Sequence, residues 1–167
     1  MSLDLTRPTN VFKDAKKKNI RTSPFFDIFK YVETFDDIEV KEDSKLKGFE
    51  SGKIEYKDGI FIITINEYHP EIYKRFTLAH EFGHYCLHKS YLIEHRNLED
   101  GVLFKSDLAN DEKESDANDF AAIILMKFEN FVKDVNDGFN TIKKIAERFR
   151  VPEEAAIYRA KMIKMID

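Results

Sequence analysis

The segment Phe76-Thr77-Leu78-Ala79-His80-Glu81-Phe82-Gly83-His84-Tyr85-Cys86-Leu87-His88 is largely apolar, yet it carries three histidines and a glutamate. A helix this apolar is buried, and its polar groups then need partners. The HExxH spacing of His80-Glu81-Phe82-Gly83-His84 supplies one answer. Residues i and i+4 of a helix share a face one turn apart, so two imidazoles can aim a nitrogen at the same ion. Glu81 projects about 100° round the helix from His80, beside such an ion without ligating it, where it can accept a proton from water. Gly83 costs roughly 1 kcal/mol relative to Ala in a helix interior and marks a close approach to the backbone, by the metal site or by a packed strand. All five histidines of the chain fall between His69 and His95.

His88 is not expected to be a third ligand. It lies about 12 Å along the helix from His80, whereas two nitrogens on one zinc are about 3.3–3.5 Å apart. A third histidine six residues after His84 would fall on position 90, which is Ser90. His88 therefore reads as a residue that supports a ligand from behind. The third ligand is expected from another element, and Asp111 to Asp119 offers five carboxylates. The apolar stripe Ala117, Ala121, Ile124, Leu125 favours Glu114, with Asp116 at the stripe's edge as the second choice. Asn118 shares the face of Glu114 and can fix a ligand imidazole through a hydrogen bond.

The rest of the chain reads as α+β. Glycine and proline are scarce, six and four in 167 residues, which favours helices over a many-stranded barrel. Ser23-Pro24 reads as an N-cap and first helical residue, and the spacing of Phe25, Ile28, Phe29 and Val32 predicts a helix over 24–35. Ile38–Lys41 is a strand candidate. Asp58-Gly59 joins strands over 52–56 and 60–65 as a hairpin, and Ile60-Phe61-Ile62-Ile63-Thr64-Ile65 is apolar enough on both faces to be an inner strand. Helices are predicted from Pro70 to His88, from Asp111 to Phe131 with Phe128 in the inward stripe, from an Asn140 cap to Phe149, and from Pro152 to Met165. Tyr91–Ser106 reads as irregular, with an extended piece at Val102–Phe104. The expected fold is a small, mainly antiparallel sheet packed against the HExxH helix and several further helices. Residues 1–22 are an N-terminal extension, with a helix over Thr9–Lys18 or a loose arm. Residues 23–135 form the domain bearing the site, and 136–167 a helix-turn-helix-like hairpin packed on it.

Composition excludes several classes. One cysteine cannot make an internal disulfide, so a stapled secreted scaffold is out; Cys86 reads as a buried core thiol. Apolar stretches such as Gly59–Ile65 are far short of the ~18 residues that span a bilayer. The N-terminus has no apolar core of signal-peptide type. A cytoplasmic protein without a membrane partner is expected. A net charge of -4 gives no general reason to bind nucleic acid. The stretch Asn140–Asp167 holds seven basic against four acidic residues, too weak a basic face to predict direct nucleic-acid binding.

Two blocks together resemble the ImmA/IrrE family of metallopeptidases. Arg75-Phe76-Thr77-Leu78-Ala79-His80-Glu81-Phe82-Gly83-His84 is similar to the family's RFTLAHELGH-like block, with His88 at its frequent later histidine. Glu114-Ser115-Asp116-Ala117-Asn118-Asp119-Phe120-Ala121-Ala122-Ile123-Ile124-Leu125-Met126 is similar to its E-x-x-A-N-x-F-A-A-x-L-L-M-P block, except that Lys127 stands where the family usually has Pro. The resemblance covers about residues 24–160. It implies a zincin-like core holding one zinc ion on His80, His84 and Glu114, with Glu81 as the catalytic glutamate and Asn118 at the family's Asn. It implies a zinc-dependent endopeptidase that cleaves or inactivates a helix-turn-helix repressor of the Xre/cI type, derepressing a prophage, a mobile element or a stress response. The competing expectation is a zinc-stabilised binding module that antagonises a repressor, or acts as a toxin–antitoxin partner, without cleavage. A further oxyanion donor is expected, with Tyr85, Tyr91 and His95 as nearby candidates.

Overall fold

The most apolar strand takes the position where both of its edges are paired. The computed structural model describes residues 6–46, 51–95 and 108–166. Within them, Ile60–Asn66 (β3) lies between Ile38–Asp43 (β1) and Gly52–Lys57 (β2), in the order β1-β3-β2. β2 and β3 form the expected hairpin, with Ile54 opposite Ile63 and Tyr56 opposite Phe61. Its turn has positive φ at both central residues, 52° at Asp58 and 89° at Gly59, the handedness that matches strand twist. β1 runs parallel to β3, with Ile38 opposite Phe61 and Val40 opposite Ile63. The α+β expectation holds, but the sheet is mixed rather than mainly antiparallel. β3 inserts between two strands that run in opposite directions, so it is antiparallel to β2 and parallel to β1.

Phe61, Ile63 and Ile65 of β3, with Ile54 of β2, are buried on the sheet face that meets the long helix Glu71–Glu94 (α3). Phe61 packs edge-on against Tyr85 of that helix. Helix Leu108–Leu125 (α4) lies along α3. Ahead of the sheet, Thr6–Lys17 (α1) is helical and buries Val11 and Ala15 in the shared core, with Phe12 against Phe26. No helix among the described residues is long and apolar enough to cross a membrane.

Several helix limits differ from the periodicity. The predicted helix over 24–35 is reduced to Ile28–Val32 (α2), and Pro24 follows a cis peptide bond instead of opening the helix. The Phe26 carbonyl, which a longer helix would use internally, accepts from the buried guanidinium of Arg75 at 2.9 Å. α3 continues to Glu94, past the expected end, with non-helical backbone at His88 (φ -122°, ψ 21°). The predicted helix from Asp111 to Phe131 is two helices. α4 ends at Leu125, Lys127 is extended (φ -54°, ψ 134°), and α5 runs Phe128–Asn136. Here Arg159 donates to the Met126 carbonyl at 3.0 Å. The break puts Phe128 on the surface, 51% exposed, rather than in the stripe. The extended piece expected at Val102–Phe104 lies outside the described residues.

The C-terminal pair, Ile142–Phe149 (α6) and Glu153–Met162 (α7), turns at Arg150, whose φ is 54°. Thr141, not Asn140, caps α6, accepting from the Lys144 amide. Ile145, Ala146 and Phe149 are buried, and α7 rests against α4.

Candidate metal centre

α3 and α4 approach closely because Gly83 has no side chain. A Cβ there would lie 3.2 Å from Phe120 Cδ1 and 3.3 Å from both Cα and O of Ala117. The element against Gly83 is therefore a helix, not a strand. This approach brings a residue of α4 onto the histidines of α3. Glu114 Oε2 is 3.2 Å from His80 Nε2, Glu114 Oε1 is 3.3 Å from His84 Nε2, and the two Nε2 atoms are 3.1 Å apart. Asp116, the second choice, stays outside, with Oδ2 3.8 Å from His88 Nε2. Among the described residues, His80, His84 and Glu114 form a group whose donor atoms are close enough to share one metal ion.

The outer nitrogens explain why this group suits a cation. His80 Nδ1 faces Asn118 Oδ1 at 2.9 Å, so that nitrogen carries a hydrogen and Nε2 is the atom turned to Glu114. A ring nitrogen and a carboxylate oxygen in contact need a positive charge between them, either a proton or a metal ion. A divalent metal that takes nitrogen and oxygen donors meets that need, and the separations are near the about 3.3–3.5 Å edge of a tetrahedral zinc site. Three protein ligands would leave a fourth position open. The same contacts set the charges. Bonds from His80 and His84 hold the Glu114 carboxyl well below the usual carboxylate range. Burial works against the charged form of His80, but the Glu114 contact and the charge of Glu81 outweigh it and raise its pKa.

Glu81 is buried, 7% exposed, and sits beside the cluster without joining it. Burial raises its pKa, against the pull of His80 and His84. Gly52, the first residue of β2, leaves it this space. A Cβ at Gly52 would lie 2.5 Å from Thr77 Cγ2, 2.8 Å from the Thr64 carbonyl and 3.7 Å from Glu81 Oε1. The sequence reading missed Gly52; a glycine opening a strand was the available signal of close approach. Gly52→Ala is expected to lower unfolding stability by about 2 kcal/mol, read from urea titration, because the Thr64 backbone cannot swing aside.

The other candidates separate. His88 Nδ1 is 3.0 Å from His84 Nδ1, and burial together with His84 pushes the His88 pKa down to about 4, so the ring is neutral. Tyr85 turns away: its hydroxyl donates to Asp37 at 2.9 Å, and Lys89 reaches the same carboxylate at 2.8 Å. Tyr91 and His95 stack on each other with centroids 3.7 Å apart. Cys86 is partly buried against the core, and burial pushes its thiol up to about 12, where it is unreactive.

The family described as the IrrE N-terminal-like domain matches residues 40–161, the stretch that holds both site helices. The chain belongs to this family. A comparison with curated proteins finds no match. Among solved structures, the IrrE-like chain is similar to a Mycobacterium tuberculosis transcriptional regulator, with a TM-score of 0.66 and 18% identity over 93% of this chain. At that identity the likeness is one of fold. The chain spans about half of that regulator, 46% of its length.

Proposed function

We propose that this protein is a zinc-dependent endopeptidase, with zinc on His80, His84 and Glu114 and Glu81 as the catalytic residue. The observation that carries the reading is the contact of two histidine nitrogens and a carboxylate at 3.1–3.3 Å beside a buried glutamate that joins none of them. Zinc bound there would polarise the scissile carbonyl and lower the pKa of water to about 7. The chain's own residues account for the proton. The raised pKa of Glu81 suits a carboxylate that accepts a proton from the attacking water and returns it to the leaving amine. A purely structural metal site has no use for that buried acid. Asn118 would hold the His80 ring in its metal-binding orientation. Asn118→Ala is expected to weaken zinc binding by about 10–100-fold, measured by competition with a chromophoric chelator.

The substrate we propose is a helix-turn-helix repressor of the Xre/cI type, on the strength of the ImmA/IrrE resemblance, and the reaction is set in the cytoplasm. The test uses the purified chain and the repressor encoded nearest to its gene. Cleavage seen by intact-mass spectrometry, lost with chelator and restored by zinc, is the expected result. A zinc-loaded protein that relieves repression while leaving the repressor intact sinks the peptidase reading in favour of a docking antagonist.

A further inference from the structure

We propose that Arg21, Arg75 and Arg150 form a binding site for a phosphate group, free or carried on a small molecule, apart from the metal centre. Their three guanidinium groups gather round one ring. The Cζ atoms of Arg21, Arg150 and Arg75 lie 3.8, 4.1 and 5.3 Å from the centroid of Phe25. No two of them are then as far apart as the screening length of about 10 Å at 0.1 M salt, so the three charges repel one another. Among the described residues, none of the three takes part in an ion pair.

Arg75 is the member that most needs an anion. It is 5% exposed, yet its partners are two carbonyls: Nη2 donates to Phe26 at 2.9 Å and Nε to Arg150 at 3.0 Å. A buried charge ordinarily has an opposite charge beside it. Burial pushes the Arg75 pKa down to about 10, and Arg150 and Arg21 push the same way, against the more distant pull of Asp27 and Glu71. Nη1 takes no partner among the described residues and is not sealed from solvent. Arg21 and Arg150 are exposed. Arg150 also stands at φ 54°, a left-handed position that favours glycine at a helix end, so an arginine is kept there against the backbone preference. One guanidinium fills both oxygens of a carboxylate, whereas a phosphate offers oxygens to all three and carries a second charge. Arg75 precedes His80 by five residues, about 140° round α3, so the cluster and the metal centre use different sides of that helix.

The test is calorimetric titration of the full chain with inorganic phosphate at slightly alkaline pH, with chloride holding the ionic strength constant. The wild type is expected to bind one phosphate saturably and to show a higher thermal midpoint with it. Arg21→Gln and Arg150→Gln should each weaken binding about tenfold or more, and together abolish it. Lys57→Gln, at the end of β2, should leave binding unchanged. Arg150→Gly separates a ligand role from a structural one. It relieves the positive φ, so the midpoint without phosphate should hold or rise while the response to phosphate is lost. Methyl phosphate distinguishes the two sources of the chemistry: a site for an ester binds it as well as phosphate, and a site for the free ion binds it about tenfold less well or worse. A wild type that gains no more from phosphate than from chloride overturns the proposal. So does a folded Arg21→Gln, Arg150→Gln double variant that binds phosphate as tightly as the wild type.

Discussion

Glu81→Gln is expected to lower cleavage by about 10²–10⁴-fold while the protein keeps its zinc. Glutamine has the shape of glutamate but cannot take a proton from water at neutral pH. The side chain is outside the His80, His84 and Glu114 group, so the substitution leaves every proposed ligand in place. Stability should stay level or rise, because burial already disfavours the charged form of Glu81 and glutamine removes that cost. Three measurements belong together: single-turnover cleavage of the repressor, zinc content of the purified variant and its thermal midpoint. A fully loaded Glu81→Gln variant that cleaves at the wild-type rate excludes Glu81 as the proton carrier.

Gly83→Val is expected to damage fold and site together. The first carbon of the new side chain would meet the Ala117 backbone at 3.3 Å and Phe120 at 3.2 Å, and the two further methyl groups have α4 itself in front of them. Overpacking of this kind costs about 3 kcal/mol, visible as a lower urea midpoint with an unchanged slope. If α4 yields by moving outward, Glu114 and Asn118 go with it, away from His84 and His80. Zinc affinity should then fall further than it does in Asn118→Ala, because a ligand and its supporting amide are displaced together. A Gly83→Val protein that is destabilised but binds zinc normally would show that the helices adjust without moving Glu114.

Much of the candidate site could be read in the sequence because its rules are local. Helical periodicity places His80 and His84 on one face whatever surrounds the helix. The same periodicity, applied to the apolar stripe of α4, singles out Glu114 over Asp116, and Glu114 lies 3.2 and 3.3 Å from the two histidines. Asp58-Gly59 was legible for a similar reason, since a two-residue turn needs positive φ at adjacent positions.

Two of the misread helix limits share an origin in distant side chains. Arg75 is 49 residues from the Phe26 carbonyl it binds, and Arg159 is 33 residues from that of Met126. Both guanidiniums are buried, and each takes a carbonyl at a point where periodicity alone would carry a helix through. Such a bond has no counterpart in a window of neighbouring residues.

By itself, the sequence determined which chemistry the chain can support: a histidine pair at helical spacing, a glutamate between them, a second carboxylate on an apolar stripe, and a strand apolar enough to lie at the centre of a sheet. Only the tertiary structure decided that β1 pairs in parallel with that strand, that Gly83 admits α4, and that Arg75 and Arg159 bind the carbonyls of Phe26 and Met126. The first set follows from periodicity and side-chain type, which act over one or two turns. The second depends on which surfaces meet when the core closes, and contacts between residues far apart in the chain are fixed by packing all of it at once.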